Sequence, residues 1–155
     1  MSDAIKIIAD NRRARFEFAI DERFEAGLVL TGTEVKSLRA GKANLGDSFG
    51  GFKAGELYLY QAHIPPYAFG NRENHDPMRP RKLLLNRREI KQIDLALAQK
   101  GYTLVPLKLY FKMGRVKVEL GLGKGKKLHD KRTTIQDRET KIKLDRIRKG
   151  DRNEA

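Results

Sequence analysis

Alternating apolar residues predict a strand-rich chain, beginning with the segment 15–30. Phe16, Phe18 and Ile20 alternate there with other side chains, which is the period of a strand buried on one face. The segment is also long enough to contain two strands. We therefore predict a hairpin or one long bent strand over these residues.

Four more strands are predicted as two hairpins. The predicted pairs are 47–53 with 57–64, and 102–111 with 115–122. Turn-forming residues separate the strands of each pair, with Gly55 in the first turn and Gly114 in the second. In the second pair, valine and leucine alternate with charged residues, so one face is predicted to be core and the other solvated.

Capping signals predict two helices. Thr33 is placed to cap a short helix that ends before Gly41. A longer helix begins at Asn86, because Glu89 three residues later completes a capping box. Apolar residues then recur with helical spacing until Gly101.

Together these elements predict a mainly β fold. Five or six short antiparallel strands with one short and one longer helix fit a small closed barrel of the OB type over residues 1–123. Residues 65–80 are rich in Pro, Asn, His and Arg without an apolar period, so we predict a surface loop there. A chain of 155 residues suits one such domain and a tail.

Positive charge indicates a polyanionic partner. The chain has 33 Lys and Arg against 20 Asp and Glu, a formal net charge of +13. Nucleic acid is the leading class of partner and an acidic membrane surface the second. Residues 124–149 alone carry a net charge of +7. Because they offer little apolar surface, we predict that 124–155 is a basic tail, disordered when free.

Within that tail, Leu128, Ile135 and Ile142 are seven residues apart, and Ile147 extends the same side. This spacing allows a basic amphipathic helix to form once a partner is present. The tail is therefore predicted to fold upon binding.

Residues for catalysis are missing or scattered. The chain has no Cys, and its histidines, His63, His75 and His129, lack metal-ligand spacing. Most carboxylates stand next to Lys or Arg, which favours solvated ion pairs. Residues 1–12 contain neither a signal-peptide core nor a membrane span. We therefore expect a cytoplasmic, non-enzymatic protein that uses no metal or other cofactor and binds no membrane.

Basic clusters support RNA binding. They lie at 11–15, 36–42, 79–82 and 124–132. Each alone is typical of a solvated surface, but together with the net charge they favour a track that neutralises backbone phosphates. Gly121, Gly123 and Gly125 precede lysines without forming a P-loop. They are predicted to give a flexible exit from the last strand, with backbone N–H groups available to phosphates.

Three long stretches resemble the SsrA-binding protein (small protein B) family. They are FEAGLVLTGTEVKSLRAGKANL at 24–45, NHDPMRPRKLLLNRREI at 74–90 and GLGKGKKLHDKR at 121–132. The resemblance implies an OB-like barrel that binds the tRNA-like domain of transfer-messenger RNA. It also implies delivery of that RNA, alanylated and with elongation factor Tu, to the A site of stalled ribosomes. Translation then switches to the RNA's own frame and tags the nascent peptide for proteolysis.

The resemblance also implies roles for individual residues. Positions associated with gripping the RNA are Asn11, Glu25, Leu84 and Lys117, and the basic neighbours that we add are Arg12, Arg13, Lys36, Arg39 and Lys82. Contacts with the decoding centre and message channel of the small ribosomal subunit are expected from Lys124, Lys126, Lys127, His129, Asp130, Lys131 and Arg132. The later segment, including Ile147, resembles the part that becomes helical in the empty channel.

Phe16 departs from the family pattern, because some relatives carry a histidine there, near the decoding centre. Stacking on ribosomal RNA could survive this change, whereas hydrogen bonding by an imidazole could not. The alternative function is a structural ribosomal protein or general RNA chaperone with an OB fold. Such a protein would not prefer one tRNA-like fold over bulk RNA at matched salt.

Overall fold

The computed structural model describes residues 5–41, 43–68 and 74–126, which form a mainly antiparallel β structure with a few helices. The strands are β1 (Ile5–Asp10), β2 (Phe18–Leu28), β3 (Phe49–Lys53), β4 (Glu56–Tyr60), β5 (Arg81–Leu84), β6 (Tyr102–Lys112) and β7 (Arg115–Gly125). The helices are α1 (Arg12–Glu17), α2 (Gly32–Arg39) and α3 (Arg87–Leu97).

The described strands form one sheet in the order β1-β6-β3-β4-β5-β2-β7, with β6 also paired to β7. The long β6–β7 pairing sets Leu104 opposite Leu122 and Leu109 opposite Val118, so the apolar faces of both strands coincide. These side chains join the main hydrophobic core, which Ile93 of α3 also enters. Burial of this inward face leaves the charged outer face in solvent.

Both predicted hairpins are confirmed. The β3–β4 turn is built on Ala54 and Gly55, and the β6–β7 turn on Met113 and Gly114, all with positive φ. Two central residues with positive φ match the right-handed twist of the flanking strands. The first hairpin ends earlier than predicted, because Gln61 follows β4 with φ of 59° and breaks the extended backbone.

The prediction of continuous strand over 15–30 was wrong at its start. Residues up to Glu17 belong to α1, and β2 begins only at Phe18. The Asn11 side chain caps α1 by accepting a hydrogen bond from the Ala14 N–H, and Ala14 packs against Val105 and Leu107. A cap and one buried contact thus outweigh the strand-like alternation of Phe16 and Phe18.

The short helix is confirmed, but its predicted cap was wrong by two residues. Thr31, not Thr33, caps α2, and the Thr31 N–H donates a hydrogen bond to the Glu34 carboxylate at 2.8 Å. The Thr33 hydroxyl instead meets Nδ1 of the buried His75 at 2.9 Å. This contact ties α2 to the segment 74–80, which forms no helix or strand, as predicted.

Glu34 also holds a buried ion pair that the sequence did not reveal. Its carboxylate accepts from Arg81 Nε at 2.5 Å and from Arg79 Nη2 at 2.7 Å, and neither the Glu34 nor the Arg81 side chain is exposed. Arg81 Nη1 donates to the Ala62 carbonyl at 2.7 Å. The pair therefore links α2, β5 and the chain after β4.

The longer helix is confirmed as α3, with the capping box between Asn86 and Glu89 that was predicted. Strands β1 and β5 were missed, because each pairs only with segments that are distant in the sequence. β1 pairs with β6, and β5 pairs with β2 and β4. The described chain accordingly has seven strands and three helices, against five or six strands and two helices predicted.

The glycines near the end of β7 do not form a flexible exit, which corrects the prediction. Gly121, Gly123 and Gly125 all lie within β7 and pair with β2, so the strand continues three residues beyond Leu122. A Cβ at Gly123 would lie 2.1 Å from the Ala19 carbonyl oxygen, where β2 bulges. Glycine is needed there for close approach of the two backbones.

Replacing Gly123 with alanine is expected to lower the free energy of unfolding by about 1–3 kcal/mol, because the β2–β7 ladder must shift. Chemical denaturation monitored by circular dichroism measures the change. Gly32→Ala is the matched control, since a Cβ at Gly32 would meet no atom within 4 Å. Equal stability of the two variants would contradict the proposed close approach.

Candidate RNA-binding surface

Residues from three strands form a row on the outer face of the sheet. Gly27 of β2 pairs with Leu84 of β5 on one side and with Lys117 of β7 on the other. Directly opposite residues in antiparallel strands point to the same face. The register therefore brings together Leu84 and Lys117, which are 33 positions apart in the sequence.

Gly27 has no side chain and so leaves space between Leu84 and Lys117. A Cβ at Gly27 would lie 3.4 Å from Leu84 Cβ and 3.8 Å from Lys117 Nζ. The row forms part of a depression of about 290 Å³, to which Val35 of α2 also contributes. Leu84 is 49% exposed although it is a leucine in a strand, so an apolar surface lies beside an ammonium group.

Glu25 lies two residues from Gly27 on the same face. Its carboxylate accepts a hydrogen bond from the Tyr110 hydroxyl at 2.5 Å and contacts Lys112 Nζ at 3.3 Å. The Tyr110 hydroxyl, and then Lys112 and Lys117, hold the pKa of Glu25 below its ordinary value against the effect of burial. Burial, and then Glu25, raise the pKa of Tyr110 well above its ordinary range, so the tyrosine stays a donor.

We predict that Tyr110→Phe raises the pKa of Glu25 toward its ordinary value, because the largest stabilising contact of the carboxylate is lost. Carbon-detected NMR titration of the side-chain carboxyl measures this pKa. Tyr58→Phe is the control, since its hydroxyl bonds to Glu56 instead. An unchanged Glu25 pKa in Tyr110→Phe would rule out the hydroxyl as the main cause.

The row offers three kinds of contact with RNA. Lys117 supplies a cation for a phosphate, and Leu84 an apolar surface for an unstacked base. The ionised Glu25 can only accept hydrogen bonds, which a base N–H or a 2′-hydroxyl can donate. Each group is of a different chemical type, so the row suits a specific RNA surface better than uniform backbone.

The basic residues of α2 and β5 lie beside this row. Lys82 is two residues before Leu84 on the same face of β5, and its Nζ contacts Glu56 at 3.1 Å. Lys36 and Arg39 are exposed on α2, the helix that contributes Val35 to the depression. Lys36 Nζ also lies 5.8 Å from the centre of the Tyr67 ring.

Asn11 is placed elsewhere and is committed to internal contacts. It is 4% exposed, and its amide donates to the carbonyls of Leu45 at 3.1 Å and Pro106 at 2.8 Å. Any effect on RNA therefore passes through the position of α1. Arg12 and Arg13 are exposed on that helix, where Arg13 contacts Glu17 and Asp47. Their contact with RNA stays a prediction.

The predicted ribosome-facing group is described only at its start. Lys124 is exposed near the end of β7, and its Nζ lies 4.9 Å from the centre of the Tyr102 ring. Lys126 directly follows β7. Phe16 is 38% exposed on α1. The other members of the group lie outside the described residues: Lys127, His129, Asp130, Lys131, Arg132 and Ile147.

Sequence reasoning missed Gly27, Tyr110 and Lys112. A glycine inside a predicted strand is a known signal for close approach, so Gly27 could have been found. Tyr110 and Lys112 gave no local signal, because their role depends on pairing of β6 with β7 and of β7 with β2. Tertiary register alone brings them to Glu25.

The described residues contain no cluster of three or more His, Asp or Glu side chains that could hold a metal ion. No helix in the same part of the chain is long and apolar enough to span a bilayer.

Comparison with known proteins gives consistent matches over most of the chain. The family model for the SmpB protein matches residues 8–150. An SsrA-binding protein of Geobacter sulfurreducens is 59% identical over 134 residues, covering 86% of this chain and 88% of the relative. An SsrA-binding protein of Thermosynechococcus vestitus is 54% identical over 150 residues, covering 96% of this chain and 99% of the relative.

A solved structure is similar in fold as well as sequence. That structure comes from work on tmRNA–SmpB and its journey to the centre of the bacterial ribosome. Its matching chain is 50% identical to this chain, with a TM-score of 0.67. The match covers 82% of this chain and 93% of the other.

Proposed function

This chain belongs to the SmpB family, and on that premise we propose that it binds transfer-messenger RNA and delivers it to stalled ribosomes for trans-translation. The outcome is rescue of the ribosome and tagging of the nascent peptide. The observation that carries the proposal is the outer-face row of Leu84, Gly27 and Lys117, with Glu25 beside it. Relatives named SsrA-binding proteins, more than half identical to this chain, support it independently.

The row is proposed to contact the tRNA-like domain of the RNA. Lys117 neutralises a phosphate, Leu84 supports an unstacked base, and Glu25 accepts from a base edge or a 2′-hydroxyl. Lys36, Arg39 and Lys82 extend the positive surface on either side. Recognition by shape and by 2′-hydroxyl contacts is how proteins select folded RNA over other polyanions.

The sheet is proposed to be a closed OB-like barrel. Pairing of β6 with both β3 and β7 supports closure, because the strands β6-β3-β4-β5-β2-β7 then return to β6. The basic segment from residue 124 is proposed to contact the small subunit and to fold there. A ribosomal partner supports a cytoplasmic, non-enzymatic role without a cofactor. The chain is proposed to act together with elongation factor Tu.

A competition titration tests the function. Labelled transfer-messenger RNA is bound to the full chain and displaced by equal masses of unlabelled transfer-messenger RNA, ordinary tRNA or duplex RNA at several salt concentrations. We expect a preference for transfer-messenger RNA that persists at higher salt. Equal competition that collapses with salt would indicate the alternative, a general RNA-binding protein.

Lys117→Ala is predicted to weaken binding to the tRNA-like domain and to reduce the slope of log affinity against log salt by about 0.7–1, because one phosphate contact is lost. Titration with an RNA fragment that contains the tRNA-like domain, at several salt concentrations, measures both effects. Lys91→Ala, which removes an exposed lysine of α3, is the matched control. An unchanged slope in Lys117→Ala would exclude direct contact with a phosphate.

A further inference from the structure

Three aromatic side chains form a patch on the outer face of the β3–β4 hairpin. We call Phe49, Tyr58 and Tyr60 the aromatic patch. The Phe49 and Tyr60 rings are stacked, with centroids 5.4 Å apart and planes at 24°, and the Tyr58 centroid lies 6.3 Å from that of Tyr60. Phe49 is 39% exposed. The hairpin thus presents a continuous aromatic surface.

The core does not require these rings. Leu57 and Leu59 alternate with the tyrosines along β4 and are buried on the opposite face. Phe52, on the core side of β3, also packs against that interior. The residues of this hairpin that serve the core therefore lie on the inner face, and the aromatic patch lies on the outer one.

Gly51 holds the patch close to the sheet. It pairs with Tyr58, and a Cβ at Gly51 would lie only 3.3 Å from Tyr60 Cε2. The Tyr60 ring therefore lies over the β3 backbone, where a larger residue would displace it. This packing fixes the ring plane before any partner arrives, which reduces the entropy lost on binding.

The aromatic patch is continuous with the surface proposed to bind RNA. Tyr58 pairs with Lys82 on β5, and Lys82 is two residues from Leu84 on the same face. Neighbouring strands are about 4.8 Å apart. The patch therefore begins one strand away from the row of Leu84, Gly27 and Lys117.

The charges of β4 and β5 beside the patch, and the exposed lysine at the end of β3, suit an anionic chain. The only acid on the outer face of β4, Glu56, accepts from the Tyr58 hydroxyl at 2.9 Å and from Lys82 Nζ at 3.1 Å, so its charge is compensated. Lys53 is exposed at the end of β3. Aromatic rings beside lysines are the combination that holds single-stranded nucleic acid.

We propose that the aromatic patch stacks unpaired RNA bases and so extends the binding surface beyond the proposed row. This inference rests on the proposed function and names the feature of the RNA that is read there. Bases within an A-form duplex are already stacked on each other and cannot reach the rings, whereas bases of loops and single strands can. The patch therefore discriminates by strandedness.

The test compares a single-stranded, adenosine-rich RNA of about ten nucleotides with a blunt duplex of equal length. The full chain is compared with Phe49→Leu/Tyr60→Leu, which keeps apolar bulk but removes both rings. We expect affinity for the single strand to fall about 5- to 140-fold per stacked base, with duplex affinity unchanged.

Two controls make the result specific. The exchange Phe49→Tyr/Tyr60→Phe retains the rings and should retain single-strand binding. Leu95→Ala, which removes an exposed apolar side chain of α3, should bind as the unaltered chain does. Circular dichroism verifies that each variant is folded.

Three outcomes would overturn the proposal. Unchanged single-strand affinity would show that the rings do not stack on bases, and equal losses for both RNAs would show a general effect. Unchanged RNA binding with loss of self-association in light scattering would identify a second copy of the chain as the occupant. The preference for transfer-messenger RNA is measured separately, so the proposed function can stand when the patch fails.

Discussion

Arg81→Met is expected to lower the free energy of unfolding by about 3–5 kcal/mol. Arg81 and Glu34 are both 0% exposed and form an ion pair inside the protein. Removing the guanidinium leaves a buried carboxylate with its charge only partly compensated by Arg79. Chemical denaturation at neutral pH, monitored by circular dichroism, measures the loss.

The pH dependence identifies the cause. Burial alone raises the pKa of Glu34, but hydrogen bonds from Arg79, the Thr31 N–H and Arg81 outweigh it and hold the pKa below its ordinary value. In the natural chain this stabilisation is present above the unfolded pKa, about 4.3, and is lost as pH falls through the lower folded pKa. In Arg81→Met, the Arg81 hydrogen bond no longer opposes the effect of burial on the pKa of Glu34. The loss of stability relative to the natural chain should therefore shrink as the pH falls and Glu34 becomes protonated.

A second substitution separates charge from packing. Glu34→Gln/Arg81→Met removes both charges, while glutamine can still complete the capping box of α2. The double variant should therefore be more stable than Arg81→Met alone. A deficit that is independent of pH and equal in both variants would mean that lost packing, not an unpaired charge, is responsible.

The elements that the sequence predicted well are those with local causes. The capping box of Asn86 and Glu89 and the turn at Met113 and Gly114 each depend on residues within four positions. Such signals act through the backbone that immediately surrounds them. They are therefore visible before any tertiary structure is known.

The elements that were missed depend on distant partners. β5 has four residues and is defined by pairing with β2 and β4. Glu34 and Arg81 are 47 positions apart, and nothing near either residue indicates the other. Burial of a charged residue is unusual unless it is paired, but pairing can be recognised only once the fold brings the partners together.

The candidate site divides in the same way. Lys117 and Leu84 were predicted through the family resemblance, and the register then placed them beside one glycine. Asn11 was predicted through the same resemblance, yet its side chain is bonded to two carbonyls inside the protein. A resemblance thus proposes positions for RNA contact, whereas geometry distinguishes exposed side chains from those bonded inside the protein.

Truncation after Gly125 is expected to reduce peptide tagging to background while leaving much of the binding to transfer-messenger RNA. Gly125 forms the last pair of β7, with Phe18, so the truncation removes no described strand pairing. It removes most of the net charge of +7 carried by residues 124–149. Affinity for RNA depends steeply on the number of phosphates neutralised, so contact with ribosomal RNA should be lost.

The measurement is tagging of a peptide in a reconstituted translation reaction on a message without a stop codon, alongside a binding titration with the tRNA-like domain. Truncation after Lys149 is the matched control, because residues 150–155 carry a net charge of −1 and should be dispensable. Normal tagging by the shorter chain would mean that the described unit alone engages the ribosome. Loss of both RNA binding and tagging would instead indicate that the tail contacts transfer-messenger RNA, since weaker binding of that RNA would then explain the loss of tagging.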